Sequence, residues 1–382
     1  MRRSTVHLTL FSTGFFIFVG CGQTPIASNS PTSPSKPPTS PVVPQQVVQP
    51  SVYVEDDSTF PSKILIFPQT ANHQTTSTLD LTGSCPSVDA SGNLYVVRYS
   101  AGAIVELSGA SLNNVLRSLP VGTGKKISRV IDMVVSEGGN IYVNDGTGIA
   151  VFDSAANGNA DPKRYIVGKD GISGAKIIPG LMAVDKLGNL YVVDTSKRSI
   201  VVFGPMDSGS VVPKRSISTL SASYIGGLTT DSDGNLYLTA ITNRPASAPD
   251  LYAVGIFEFD ANADGNATPI RAIFDPDTRE MYPYFFSLGI AVNSLGTIYV
   301  SAGKVESTAT VPAVFEFAPG SSGNNVVPSG IVTIESWMDS ETPRIRRALS
   351  CYWTRQPEQD HPTFSFCIFS CHSLEALSEN FT

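Results

Sequence analysis

Val184-Asp185-Lys186-Leu187-Gly188-Asn189-Leu190-Tyr191-Val192 reads as a short strand, a tight turn and a second short strand. Asp185 is placed to accept from the backbone ahead of it, and Gly188 can take the positive φ such a turn needs. The unit recurs at residues 88–96, 135–143, 230–238 and 292–300, always with glycine in the turn and tyrosine three residues later. Nothing in it is a nucleophile, a base or a metal cage. The repetition therefore speaks of architecture before it speaks of chemistry.

Working outward from the 184–192 copy, residues 181–184 form the first strand and 189–193 the second. Residues 199–203 form the third, reached through a polar turn at 195–198. Residues 213–217 form an outer fourth strand, where Pro213 is tolerated because a sheet edge can spare an amide donor. The offset repeats: Pro162 follows Phe152, and Pro269 follows Phe259, by ten residues, with Arg164 and Arg271 two further on. Each unit is a four-stranded antiparallel blade. The turn glycines Gly92, Gly139, Gly188, Gly234 and Gly296 are spaced by 47, 49, 46 and 62 residues, which is propeller spacing. The longest gap is accounted for by insertions around 243–252 and 275–284, expected in rim loops. Leu190, Val192, Ile200 and Val202 need neighbouring blades for burial, so the blades are expected to stack radially.

The pattern Val-Asp-x-x-Gly-Asn-x-Tyr-Val followed by Ile-x-Val-Phe resembles the NHL-repeat family, and more loosely the gluconolactonase and senescence-marker class of six-bladed propellers. The resemblance covers residues 62–334. It implies a ring of six blades and, for NHL propellers, a binding platform. The looser likeness implies a divalent cation held in the central channel by carboxylate and amide side chains. The innermost strands, 131–135, 181–184, 227–230 and 289–292, offer one carboxylate, Asp132. A binding module is therefore preferred to a calcium-dependent lactonase-like or lyase-like enzyme, because calcium demands several oxygen ligands at once.

Ahead of the first full copy, residues 64–67 and 76–81 look like the third and fourth strands of a blade lacking its first two. The expected fold is all-β: five blades plus an N-terminal half blade, within residues 59–334. A sixth Gly-Asn-x-Tyr-Val copy should appear near 345–360 to supply the missing inner pair, and it does not, so the ring is expected to be incompletely closed. Residues 335–382 carry both tryptophans, three of the five cysteines and two of the four histidines. We read this tail as foreign to the domain, introduced by a frameshift or rearrangement. The alternative is that 363–368 forms a degenerate closing strand.

The N-terminus has a different character. Arg2 and Arg3 precede a mostly apolar run, 8–19, too short to span a bilayer comfortably and ending in Phe18-Val19-Gly20-Cys21. This resembles the lipobox of bacterial lipoproteins and implies that residues 1–21 are a cleaved signal peptide, with Cys21 lipidated; Gly22 points to the outer membrane. Secretion is the alternative if Cys21 is unmodified. Residues 22–58, rich in Pro, Ser and Thr, read as a disordered tether.

A 382-residue chain with 41% hydrophobic and 15% charged residues can build a substantial core. Its formal charge of -7 repels phosphate backbones, so no nucleic acid partner is expected. The expected ligand at the propeller face is a protein, peptide or carbohydrate, with the membrane met through the lipid anchor alone. Asp260-x-Asn262-x-Asp264-Gly265 imitates the start of a calcium loop and supplies the candidate metal ligands. Arg271 stands at the twelfth position, where a bidentate Glu is needed, so the stretch reads as an Asx-rich turn and no cofactor is expected. Cys351, His361, Cys367, Cys371 and His372 match no paired Cys-x-x-Cys signature and read as free thiols beside incidental histidines. His73 is the one histidine within 59–334, which leaves no Ser-His-Asp set in the ring.

The tail reading makes a prediction at the level of DNA. Translation of the other two frames beyond the codon for Ile334 should yield a Gly-Asn-x-Tyr-Val segment, and two frames without one would defeat the frameshift idea.

Overall fold

The computed structural model describes residues 51–56, 62–68, 80–109, 111–218, 222–242, 253–274, 281–282, 289–306, 309–324 and 326–333. All of them belong to the unit Val48–Thr382, and the unit Met1–Val47 lies outside them. Cys21, the leader and the tail 335–382 also lie outside, as do most of the two insertions.

The described chain forms six small sheets, here called blades A to F in chain order. They make a six-bladed β-propeller whose only described helix is the 3-10 turn Tyr99–Ala101. Blade D shows the design. Pro179–Val184, Leu190–Asp194, Ser199–Phe203 and Arg215–Ser218 run antiparallel in that order from the axis outward. Blade B (Ser84–Val88, Leu94–Arg98, Ala103–Ser108, Ser111–Pro120) repeats it. So does blade C (Asp132–Val135, Ile141–Asn144, Ile149–Phe152, Arg164–Gly168). Blade E (Ala222–Thr230, Leu236–Thr242, Ala253–Phe259, Arg271–Phe274) and blade F (Ile290–Val292, Ile298–Glu306, Ala309–Phe317, Gly330–Thr333) follow the same order. Met281–Tyr282 adds a short pairing to the far end of blade F's second strand.

Blade A is fuller than the sequence suggested. Ser51–Asp56 pairs with Lys63–Pro68, which pairs with Asp80–Thr82, so the sheet has three strands among the described residues where two were expected. Register identifies the extra strand: Tyr53 lies opposite Ile66 as Tyr191 lies opposite Val202. Ser51–Asp56 is thus a second strand without the glycine turn that announces the others. The end of the expected tether is folded because Tyr53 packs into the seam against blade B.

The core lies between blades. Leu190, Val192, Val201 and Phe203 pack toward blade C, while Tyr191, Val193, Ile200 and Val202, on the opposite face, pack toward blade E. Five apolar clusters of this kind fill the five successive seams from A/B to E/F. Alternation along each strand supplies both faces, and burial at roughly 25 cal/mol per Å² of apolar surface drives the stacking. Tyr95, Tyr142, Tyr191, Tyr237 and Tyr299 occupy one equivalent position, the second residue of each second strand, and all are buried.

A polar clasp crosses the seams beside these clusters. In blade D, Asp185 accepts from the amides of Leu187 and Asn189 and from Asn189 Nδ2, which closes the hairpin turn while Gly188 sits at φ 79°. Asp89 and Asp231 repeat the arrangement, and each also accepts from its tyrosine hydroxyl at 3.1 Å. An arginine from the outer strand then lies over the tyrosine ring, at 5.3 Å for Arg117, 5.8 Å for Arg215 and 5.6 Å for Arg271. Each arginine reaches the next blade: Arg117 donates to the carbonyls of Gly139, Asp153 and Ala156, Arg215 to those of Ala261 and Ala263, and Arg271 to that of Ser321. Arg164 donates to the Asp207 carbonyl.

The buried Arg117–Glu106 pair makes this clasp testable. Arg117→Ala strands Glu106 in the seam and should cost about 3–5 kcal/mol in urea unfolding. Arg164→Ala, whose partner is a single carbonyl, should cost about 1 kcal/mol. Equal losses would show that the clasp contributes no more than an ordinary hydrogen bond.

Candidate functional site

Each inner strand turns through its hairpin into the second strand, so inner-strand starts and second-strand ends share one face of the ring. The register places Ser84 opposite Val97, Asp132 opposite Asn144 and Pro179 opposite Asp194 there. This entry face carries Asp132 at the start of an inner strand and Glu55 near the end of a second strand. The Asp-x-x-Gly turns occupy the other face.

The inner strands are bulged near their starts, between Ser84 and Ser87, between Pro179 and Met182, and between Ile225 and Gly227. A bulge leaves backbone groups without ladder partners, and buried groups of that kind demand others. Glu55 of blade A accepts from the Cys85 amide at 2.8 Å. Asp132 of blade C accepts from the Met182 amide at 2.7 Å. Asn144 donates to the carbonyls of Pro179 at 2.8 Å and Gly180 at 3.0 Å. Cys85 is itself at φ 52°, and its sulfur is in a disulfide, which removes it as a thiol nucleophile.

Glu55 and Asp132 each keep part of their surface open, yet their carboxyl groups are enclosed by protein, as expected on a concave wall. Burial pushes Asp132 up to about 7, against the pull of the Met182 and Met133 amides. Burial also raises Glu55; the Cys85 amide and the Ser84 and Ser62 hydroxyls lower it, and the charge of Asp132 raises it again. Glu55 in blade A therefore feels the charge of Asp132 in blade C. Tyr99, raised by burial and then by Glu55, donates to the Val130 carbonyl at 3.2 Å. Arg98 ends blade B's second strand, and its buried Nε finds no acceptor among the described residues.

The residues singled out in the sequence fall in different places. Asp132 stands on the entry face, as its inner-strand position implied. Asp260, Asn262 and Asp264 lie far out on blade E, in the loop that clasps blade D. Asp260 accepts from the Asn262 amide at 2.8 Å, and Asp264 accepts from the Ser216 and Gly265 amides at 2.9 Å each. The intervening carbonyls of Ala261 and Ala263 are taken by Arg215. The loop's oxygens thus join two blades. Among the described residues no three His, Cys, Asp or Glu side chains come together as a metal set. Glu55 was missed because it lay in the expected tether; the signal was Tyr53 two residues ahead of it, matching Tyr142 two ahead of Asn144.

Neither a family model nor a curated protein matches the sequence. Solved structures similar in fold include a protein of unknown function from Bacteroides caccae, 10% identical, with a TM-score of 0.45 over 72% of this chain and 90% of that one. Virginiamycin B lyase from Staphylococcus aureus is 11% identical, with a TM-score of 0.36 over 72% of this chain and 89% of that one. A gluconolactonase from Xanthomonas campestris is 13% identical, with a TM-score of 0.38 over 63% of this chain and 78% of that one. None of these bears on the chemistry of the entry face.

Asp132 gives the entry face a pH signature. Folded, it holds its proton up to about pH 7, whereas its ordinary value is 3.8. Between those values the folded chain binds more protons than the unfolded one, so this group's stabilisation is present near pH ~4 and is lost as pH rises through 7. Asp132→Asn keeps an acceptor for Met182 and removes the charge. Its melting temperature should vary less from pH 4 to 8, with a gain on the order of 2 kcal/mol at pH 8 after discounting for solvent. An unchanged pH profile would contradict the assignment.

Proposed function

We propose that this chain is a binding platform of the cell envelope, holding a protein, peptide or carbohydrate ligand on the entry face of its propeller. The observation that carries the reading is the pair Glu55 and Asp132, whose carboxylates are each fixed by a backbone amide of the following blade. Groups fixed in this way present polarity at set positions without reorganising, which suits recognition. Arg98 adds a donor of opposite charge at the same end. Calcium-assisted catalysis of the lactonase or lyase kind would instead need several oxygen ligands converging on one point, and these two carboxylates already serve bulged strands.

The remainder of the reading concerns placement. Lipid on Cys21, with residues beyond it as a tether, would hold the platform at the outer membrane and leave the disc free to meet its ligand. The anchor supplies the membrane contact, and the acidic chain has no nucleic acid role.

Titration of the purified chain with oligosaccharide and peptide panels should give saturable binding that Glu55→Gln weakens about tenfold, since Gln still accepts from Cys85 but carries no charge. Lactone turnover that depends on added calcium would replace this reading with an enzymatic one. Metabolic labelling with palmitate should mark the protein and fail with Cys21→Ala. An unlabelled protein released to the medium would make it secreted.

A further inference from the structure

The clasp is complete in blades B and E; in blade F its arginine is absent and Asn293 stands where the turn aspartate does. Tyr299 lies opposite Glu316, as Tyr95 lies opposite Glu106 and Tyr237 opposite Glu258. On the outer strand the residue opposite that glutamate is Arg117 in blade B and Arg271 in blade E. In blade F it is Gly330. The tyrosine and the glutamate of the clasp persist while the cation that joins them elsewhere is missing.

The surroundings of Glu316 fit a vacated position. Its carboxylate finds no hydrogen-bond or ionic partner among the described residues, and burial raises its affinity for a proton. Tyr299 is buried, its hydroxyl accepting from Asn293 Nδ2 at 3.4 Å. A Cβ at Gly330 would stand 3.0 Å from Glu316 Oε2, so the glycine leaves the carboxylate uncovered. In the sister blades one planar group satisfies the whole set: Arg117 lies 5.3 Å from the Tyr95 ring centre, donates to the Tyr95 hydroxyl at 3.0 Å and pairs with Glu106. Arg271 does the same, with Tyr237 at 3.1 Å and Glu258 as its ion pair. A guanidinium matches this geometry because it is flat, offers donors on two edges and stacks on a ring; a compact ammonium does not span it.

We propose that Tyr299, Glu316 and Asn293 form a guanidinium-binding slot on the face of blade F turned away from blade E, left open by Gly330 and filled by an arginine side chain from outside the described strands. That arginine has two sources. One is this chain's own C-terminal stretch, which holds Arg344, Arg346, Arg347 and Arg355. The other is an arginine-bearing peptide.

The test titrates N-acetyl-arginine amide into the full chain and into a variant with Arg344, Arg346, Arg347 and Arg355 all changed to Gln, followed by calorimetry. Saturable binding to both identifies an open slot for an external arginine. Binding to the variant alone identifies a slot occupied by the chain's own arginine. In either case Glu316→Gln should weaken binding by about tenfold or more, as loss of a charge-assisted pair does. Gly330→Arg should abolish binding by filling the slot, and it serves as the control should Glu316→Gln unfold. Absence of binding to both chains overturns the proposal, as does equal binding of N-acetyl-lysine amide or full retention in folded Glu316→Gln.

Discussion

A sheet of four short strands with apolar side chains on both faces has nothing to hide behind in water. Blade D meets that constraint by presenting Leu190, Val192 and Phe203 to one neighbour and Tyr191, Ile200 and Val202 to the other. Neither face can be covered by the blade's own strands, so each sheet requires the next and stability is shared along the ring. The same demand explains why Ser51–Asp56 folds: Tyr53, Ile64, Ile66 and Leu81 must cover the face of blade B formed by Leu94, Val96 and Val105.

Apolar seams alone would let sheets slide, and the polar clasp supplies register. In blades B, D and E tyrosine, arginine and the turn aspartate meet at one position, and the arginine's donors end on carbonyls of the following blade. Such an array is costly to leave half made in a buried seam. It therefore favours one relative placement of neighbouring blades, and in blade F the glutamate keeps its place while the arginine opposite it is replaced by Gly330. The acid-rich loop on blade E belongs to this system, with Asp264 and the carbonyls beside it spent on blade D.

The entry face follows from the bulges. Inner strands that deviate from regular pairing expose amides, and Glu55 and Asp132 answer them from preceding blades. Two carboxylates are thereby drawn to one end of the ring for structural reasons, and the charge of Asp132 is felt by Glu55.

The five glycine-turn hairpins, three of them Asp-x-x-Gly, their tyrosines and the four-strand order were legible in the sequence, because period-two alternation and turn glycines are local properties of the chain. The arginines two residues after the edge prolines were visible as a repeat, although their partners were not. Tyr53 and Glu55 escaped because a second strand lacking its turn looks like the end of a proline-rich segment until the third strand, Lys63–Pro68, lies beside it. The sequence by itself determined which residues alternate and where the chain turns, since those depend on neighbours along the backbone. Only the tertiary structure decided that Glu55 and Asp132 each hold an amide of the following blade, that Asp264 bridges two blades and that Glu316 lacks its arginine, since each depends on residues brought together by packing across the seams.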